Sequence, residues 1–115
     1  MKATLQTYRQ SPRKVRLLVD LIRGKKVADA MVALKFADKR AAPVVLKLLN
    51  SAVANAKNAS LNAEELFVKG AQVNKGVTMK RTMPRARGSA ARINKRTSHV
   101  DIVLANISEM KSKKK

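Results

Sequence analysis

Cysteine is absent from this 115-residue chain, which excludes a disulfide framework and any thiolate metal site. Histidine occurs once, at His99, so a histidine-based metal cluster is excluded as well. Aromatics are scarce: Tyr8, Phe36 and Phe67, with no tryptophan. Sheet-type readers of single-stranded RNA stack bases on exposed aromatics of adjacent strands, and these three scattered rings do not supply that platform. No apolar run approaches the roughly 18 residues of a membrane-spanning helix, and no signal-peptide pattern opens the chain. Acid is the scarcest charge, with 7 Asp and Glu against 26 Lys and Arg, for a formal net charge of +19.

That imbalance repels itself in isolation and is natural beside many phosphates. Yet 45% of the residues are hydrophobic, which is the composition of a folded chain rather than of a basic disordered peptide. The length suits one domain with a modest core. The most informative stretch is 79–99, with Lys80, Arg81, Arg85, Arg87, Arg92, Lys95 and Arg96 and no acid. Its only large aliphatic or thioether side chains are Met79, Met83 and Ile93, too few to offset the entropy of ordering it alone. A strongly apolar strand pattern follows it at 100–107, so the segment is not a tail. A basic segment held at both ends by folded structure reads as an arm pushed into a polyanion, most naturally RNA.

Residues 3–9 alternate moderately and suit a short strand. Ser11-Pro12 then gives an N-cap followed by proline at the first helical position. Val15, Leu18, Val19 and Ile22 lay one apolar stripe along a helix that Gly24 stops. Val27, Ala30, Met31 and Leu34 repeat the spacing in a second helix. A third, over 41–57, places Val45, Leu48, Leu49, Ala52, Val53 and Ala56 on one face, with Pro43 near its start. After a loop at 58–63 the pattern over 64–79 is extended, with Phe67, Ala71, Val73, Val77 and Met79 in one parity class. Gly70 and Gly76 are weak points or bulges in it. The last strand, 99–107, carries apolar residues on both faces and is expected to be central and covered on both sides.

The expected fold class is α+β: three helices packed on a small antiparallel three-stranded sheet, with a long basic β-hairpin extension. The expected organisation is a single domain over 1–115, with a globular body at 1–78 and 99–108, an arm at 79–98 and a flexible basic tail at 109–115. The arm should turn around Arg87-Gly88-Ser89. With strands of about nine residues at roughly 3.3 Å each, it would project about 30 Å.

The arm's charge is mostly arginine, whose planar fork pairs with phosphate and stacks on bases better than ammonium does. Thr82, Asn94, Thr97 and Ser98 add neutral groups for sugars and phosphates, and small residues at the tip would fit a narrow space. The competing reading is a solvated charged loop. A second basic surface gathers Arg9, Arg13, Lys14 and Arg16 near the start of the first helix. A third gathers Arg23, Lys25 and Lys26 at its end, where capping of the helix dipole competes with phosphate binding. The lysine-rich tail could grip phosphates or aid solubility. His99 has no second ligand or nucleophile beside it and suits a hydrogen-bonding role at the hairpin base. Asp20, between Arg16 and Arg23, suits an intrahelical ion pair. No Walker loop, GxGxxG or HExxH occurs, and no cofactor or enzymatic activity is expected.

Several of these segments carry a resemblance. Ser11-Pro12-Arg13-Lys14-Val15-Arg16-Leu17, with Asp20-Leu21-Ile22-Arg23-Gly24-Lys25, resembles the first-helix signature of the L-twenty-two family of large-subunit ribosomal proteins. Ser51-Ala52-Val53-Ala54-Asn55-Ala56 is similar to that family's third helix. Met79-Lys80-Arg81, Pro84-Arg85-Ala86-Arg87-Gly88 and Lys95-Arg96-Thr97-Ser98-His99 resemble its hairpin. The resemblance implies a cytoplasmic, ribosome-bound structural protein whose body lies near the polypeptide exit and whose hairpin forms part of the exit-tunnel wall. It implies contacts with several domains of large-subunit rRNA, a part in assembly, and no membrane partner. Tip residues Arg85, Ala86, Arg87, Gly88, Ser89 and Ala90 would face the nascent polypeptide beside a loop of the L-four family protein. Ser89 departs from the family pattern, in which a basic residue follows the tip glycine. The alternative from the residues alone is a general basic nucleic-acid-compacting protein.

Overall fold

Three helices, each with a buried stripe, need one apolar surface to cover, and a three-stranded sheet provides it. A computed structural model describes residues 2–84, 86–88 and 90–107. The elements run β1 (Lys2–Tyr8), α1 (Pro12–Ile22), α2 (Val27–Phe36), α3 (Ala42–Asn58), β2 (Leu66–Lys75), β3 (Met79–Pro84), β4 (Ala90–Lys95) and β5 (Ser98–Asn106). β1, β5 and β2 form an antiparallel sheet in that order, and β3 pairs only with β4 in a separate two-stranded ribbon.

Helix α1 starts at Ser11, whose carbonyl accepts from the amides of Lys14 and Val15. Its hydroxyl makes no capping bond, so the fixed φ of Pro12 at N1 defines the start. The expected stripe of Val15, Leu18, Val19 and Ile22 is buried. In α2, Val27, Ala30 and Leu34 are buried and Met31 is half-buried. α3 buries all six residues of its predicted face. Its small residues bring it against β1 and β5, and Asn55 Nδ2 donates to the Lys2 carbonyl. Ile102, at the centre of β5, is fully buried, a contribution of about 1.5–3 kcal/mol for one side chain.

Five expectations are corrected. Thr7, at φ 55°, breaks the register of β1 with β5 between Leu5 and Tyr8, so Tyr8 turns back toward the core although its parity opposes that of Ala3. A bulge between Val68 and Gly70 splits the inward set of β2 into Leu66 and Val68 before it, and Ala71 and Val73 after it. Val77 lies beyond β2 and is exposed. The central strand β5 is covered unequally: Val100, Ile102 and Leu104 are buried on one face, while on the other Ala105 is buried and Asp101 and Val103 are half-buried. Finally, the arm strands have six residues each rather than about nine, because the ladder ends at the Pro84–Ala90 pair and leaves 85–89 for the tip.

The ribbon makes the molecule elongated, 63 Å along its longest axis against 27 and 24 Å across it. The radius of gyration is 17.6 Å, against roughly 13 Å expected for a compact chain of this length.

Candidate nucleic-acid interface

Residues directly opposed across an antiparallel ladder share a face, so the register sorts the arm's side chains. Met79, Arg81 and Met83 share one face with Lys95, Ile93 and Ala91, and Lys80, Thr82 and Pro84 share the other with Asn94, Arg92 and Ala90. All three large apolar side chains fall on the first face, while each face carries two cations. The tip adds Arg87, exposed, within a tight turn at Ala86–Gly88. Arg87 and Gly88 are both left-handed, at φ 64° and 71°, which fits the glycine expected at the turn. Arg85 and Ser89 of the predicted tip lie outside the described residues, as does the predicted tail. A ribbon with cations on both faces and no acid of its own suits a space with phosphates on either side.

The arm's root is a hydrogen-bonded lock. Thr97 Oγ1 donates to the Val77 carbonyl at 2.6 Å, Ser98 Oγ donates to the Gln10 carbonyl at 2.6 Å, and the Gly76 amide donates to the Thr97 carbonyl at 2.9 Å. His99 Nδ1 accepts from the Thr7 amide at 3.0 Å, which puts the neutral ring's proton on Nε2. Thr97 and Ser98 are buried. These two hydroxyls, predicted as RNA contacts, and the imidazole, expected to hydrogen-bond at the hairpin base, have partners within the chain and brace the arm on β1 and the start of α1.

Two predicted cations are also engaged within the chain. Arg16 donates through Nε and Nη2 to the Val73 carbonyl, and Arg23 through Nε and Nη2 to the Ala71 carbonyl. Arg23 Nη1 pairs with Asp20 at 2.7 Å. The β2 edge is therefore closed by α1, because the Gly24 amide and Lys25 carbonyl also pair with Val68. Arg23 satisfies a neighbouring strand rather than the carbonyls of its own helix, which removes the dipole-capping reading for it. Lys25 and Lys26 lie past the helix with exposed side chains. Replacing Arg16 and Arg23 together by alanine is expected to cost about 1 kcal/mol per site, the net value of a charge-assisted bond discounted for exposure. Thermal unfolding without RNA checks this, and an unchanged midpoint would mean that water satisfies those carbonyls equally well.

Several cations of the body and the arm converge. A cleft of about 980 Å³ between the start of α1 and the arm root is lined by Arg9, Lys14, Arg81, Lys95 and Arg96, joined by Arg40 from the turn before α3. A smaller hollow of about 240 Å³ continues it past Arg13, Arg16, Arg96 and Lys75. Neither is lined by an acid. Arg40 and Lys75 were not singled out in the sequence; only the topology brings them here. Among the described residues no group of His, Asp or Glu is placed to hold a metal ion. Of the aromatics, Tyr8 is half-buried and Phe67 buried, and Phe36 stands 81% exposed on a helix end rather than on a sheet.

Residues 3–105 match the family model described as ribosomal protein L22p/L17e. Several proteins named "Large ribosomal subunit protein uL22" are similar to the chain. That of Macrococcus caseolyticus is 56% identical over 106 residues, covering 91% of this chain and 86% of its own length. That of Lactobacillus delbrueckii subsp. bulgaricus is 53% identical, covering 94% and 93%, and that of Acholeplasma laidlawii is 54% identical, covering 90% and 95%. With a family model spanning nearly its whole length and such relatives aligned end to end, this chain belongs to the L22p/L17e family of ribosomal proteins.

Proposed function

We propose that the chain is a structural, non-catalytic constituent of the large ribosomal subunit that binds and bridges several domains of its RNA and aids their assembly. The observation that carries this is the acid-free ribbon with cations on both faces, standing off a folded body. The names of the relatives agree with it. RNA contacts are assigned to Lys80, Arg81, Arg85, Arg87, Arg92, Lys95 and Arg96 on and beside the arm, and to Arg9, Arg13, Lys14, Lys25 and Lys26 on the body. The resemblance extends the reading to the exit tunnel: 85–90 would face the nascent polypeptide beside the L-four family protein. The division into body, arm and tail belongs to the same proposal. Among the described residues no helix is long and apolar enough to cross a membrane.

Sedimentation of a lysate through sucrose at ordinary and high salt tests it. An embedded component stays with the large subunit at high salt. Release at modest salt, or a large free pool, would favour a general nucleic-acid-compacting protein held by charge alone.

A further inference from the structure

We infer that one RNA strand threads the cleft between the start of α1 and the arm root, with Arg40 gripping it from the side opposite the arm. This rests on the ribosomal reading and narrows it to one place and one form of RNA. Arg81, Lys95 and Arg96 belong to the arm and its root, Arg9 and Lys14 flank the helix start, and Arg40 comes from the α2–α3 turn, so the cleft's cations reach it from three separate parts of the fold. The N-terminus of α1 abuts it through Ser11, with no acid in the first turn and no side-chain cap, so its positive end is uncompensated.

A volume of about 980 Å³ lies at the upper end of small-ligand pockets, which admits a few nucleotides of a single strand and not a double helix. A free phosphate metabolite would need cations focused on one point, whereas these are spread along a track that continues toward Lys75. Gln10 also lines the cleft, and its Oε1 is buried without a hydrogen-bond partner. Turned toward the cleft, that oxygen would accept from a ribose 2′-hydroxyl, a donor that DNA lacks. A strand held there touches body and arm together, so binding fixes the angle between them.

Because the chain has no cysteine, single-cysteine variants can each carry an iron–EDTA chelate at one chosen point. Arg40→Cys, Lys95→Cys and Arg87→Cys change exposed residues and leave the core alone. Each full-length variant is bound to large-subunit RNA purified from the host, and the hydroxyl-radical cuts are mapped. The probes at 40 and 95 are expected to cut the same short run of nucleotides, and the probe at 87 to cut elsewhere. In parallel, Arg40→Ala should make the salt dependence of binding less steep by about 0.7 in the log–log slope, the single-strand value for one phosphate contact. Disjoint cuts from 40 and 95, or no RNA cut from 40 while 87 still cuts, would overturn the threading and leave the ribosomal reading standing. In that case an acidic protein segment becomes the candidate occupant. No cuts from any of the three would overturn both.

Discussion

Replacing residues 80–95 by a short glycine linker is expected to leave the body folded while weakening binding to large-subunit RNA by roughly 10²–10⁴-fold. The folding half follows from where the core lies. Every residue of the buried cluster falls within 3–73 or 100–104, so the deletion removes no core side chain. The root bonds of Gly76, Thr97, Ser98 and His99 are also retained. The binding half follows from charge. The segment holds six cations, Lys80, Arg81, Arg85, Arg87, Arg92 and Lys95. At about 0.5–1 kcal/mol for each exposed charge pair, six contacts give about 3–6 kcal/mol. Counterion release supplies an independent readout: the log–log salt slope should become less steep by about 4–5, at roughly 0.7–0.9 per phosphate. Circular dichroism and thermal unfolding follow the body, and a filter-binding titration across salt follows the slope. Loss of the body's cooperative unfolding would show that the arm is part of the folding unit. An unchanged slope would move the interface off the arm.

The parts of this fold legible from sequence are those that depend on local periodicity. The α1 stripe, the α3 face, the proline starts and the left-handed Gly88 at the tip each follow from spacing or from one residue's backbone restriction, and the structure reproduces them. The parity errors in β1 and β2 share one cause, which is that strand parity survives only until a bulge. Thr7 and the Val68–Gly70 bulge each add a residue on one side of a ladder, and from there the alternation inverts. Gly70 hinted at its bulge, but nothing in Thr7 announces a positive φ. The candidate interface divides in the same way. The arm's charge was plain in sequence. The engagement of Thr97 and Ser98 within the chain was not, because their acceptors are backbone carbonyls of Val77 and Gln10 that only the fold brings near. Polar residues beside a basic run read as RNA ligands until the fold supplies nearer acceptors. The chain's own partners for Arg16 and Arg23 were hidden for a related reason: an edge strand with open carbonyls competes with phosphate for any guanidinium within reach.

Gly76→Ala is expected to open the arm root by about 2–4 kcal/mol without altering the arm's charge. A methyl group at position 76 would clash with Thr97 Oγ1 and come within 3.2–3.3 Å of the His99 ring. The backbone is not the obstacle, because Gly76 is not at positive φ; the conflict is one of space. Thr97 is buried, and its hydroxyl is held by the Val77 carbonyl, so relief of the clash breaks that bond. Overpacking typically costs about 1–3 kcal/mol, and loss of the hydrogen bond to the Val77 carbonyl adds about 1 kcal/mol. The amide at 76, bonded to the Thr97 carbonyl, reports the opening, and 2–4 kcal/mol corresponds to roughly 30- to 1000-fold faster hydrogen exchange there. Thr97→Ala alone loses the same hydroxyl bond but brings no clash. The double variant should therefore be more stable than the sum of the single effects by about 1 kcal/mol or more, while the His99 ring keeps it below the wild type. Additive effects would mean that the methyl group and the hydroxyl do not meet, and the root would have to be rigid for another reason. With every cation in place, RNA binding by Gly76→Ala should weaken with an unchanged salt slope. That signature separates a misdirected arm from a missing one, since deletion of 80–95 changes the slope itself.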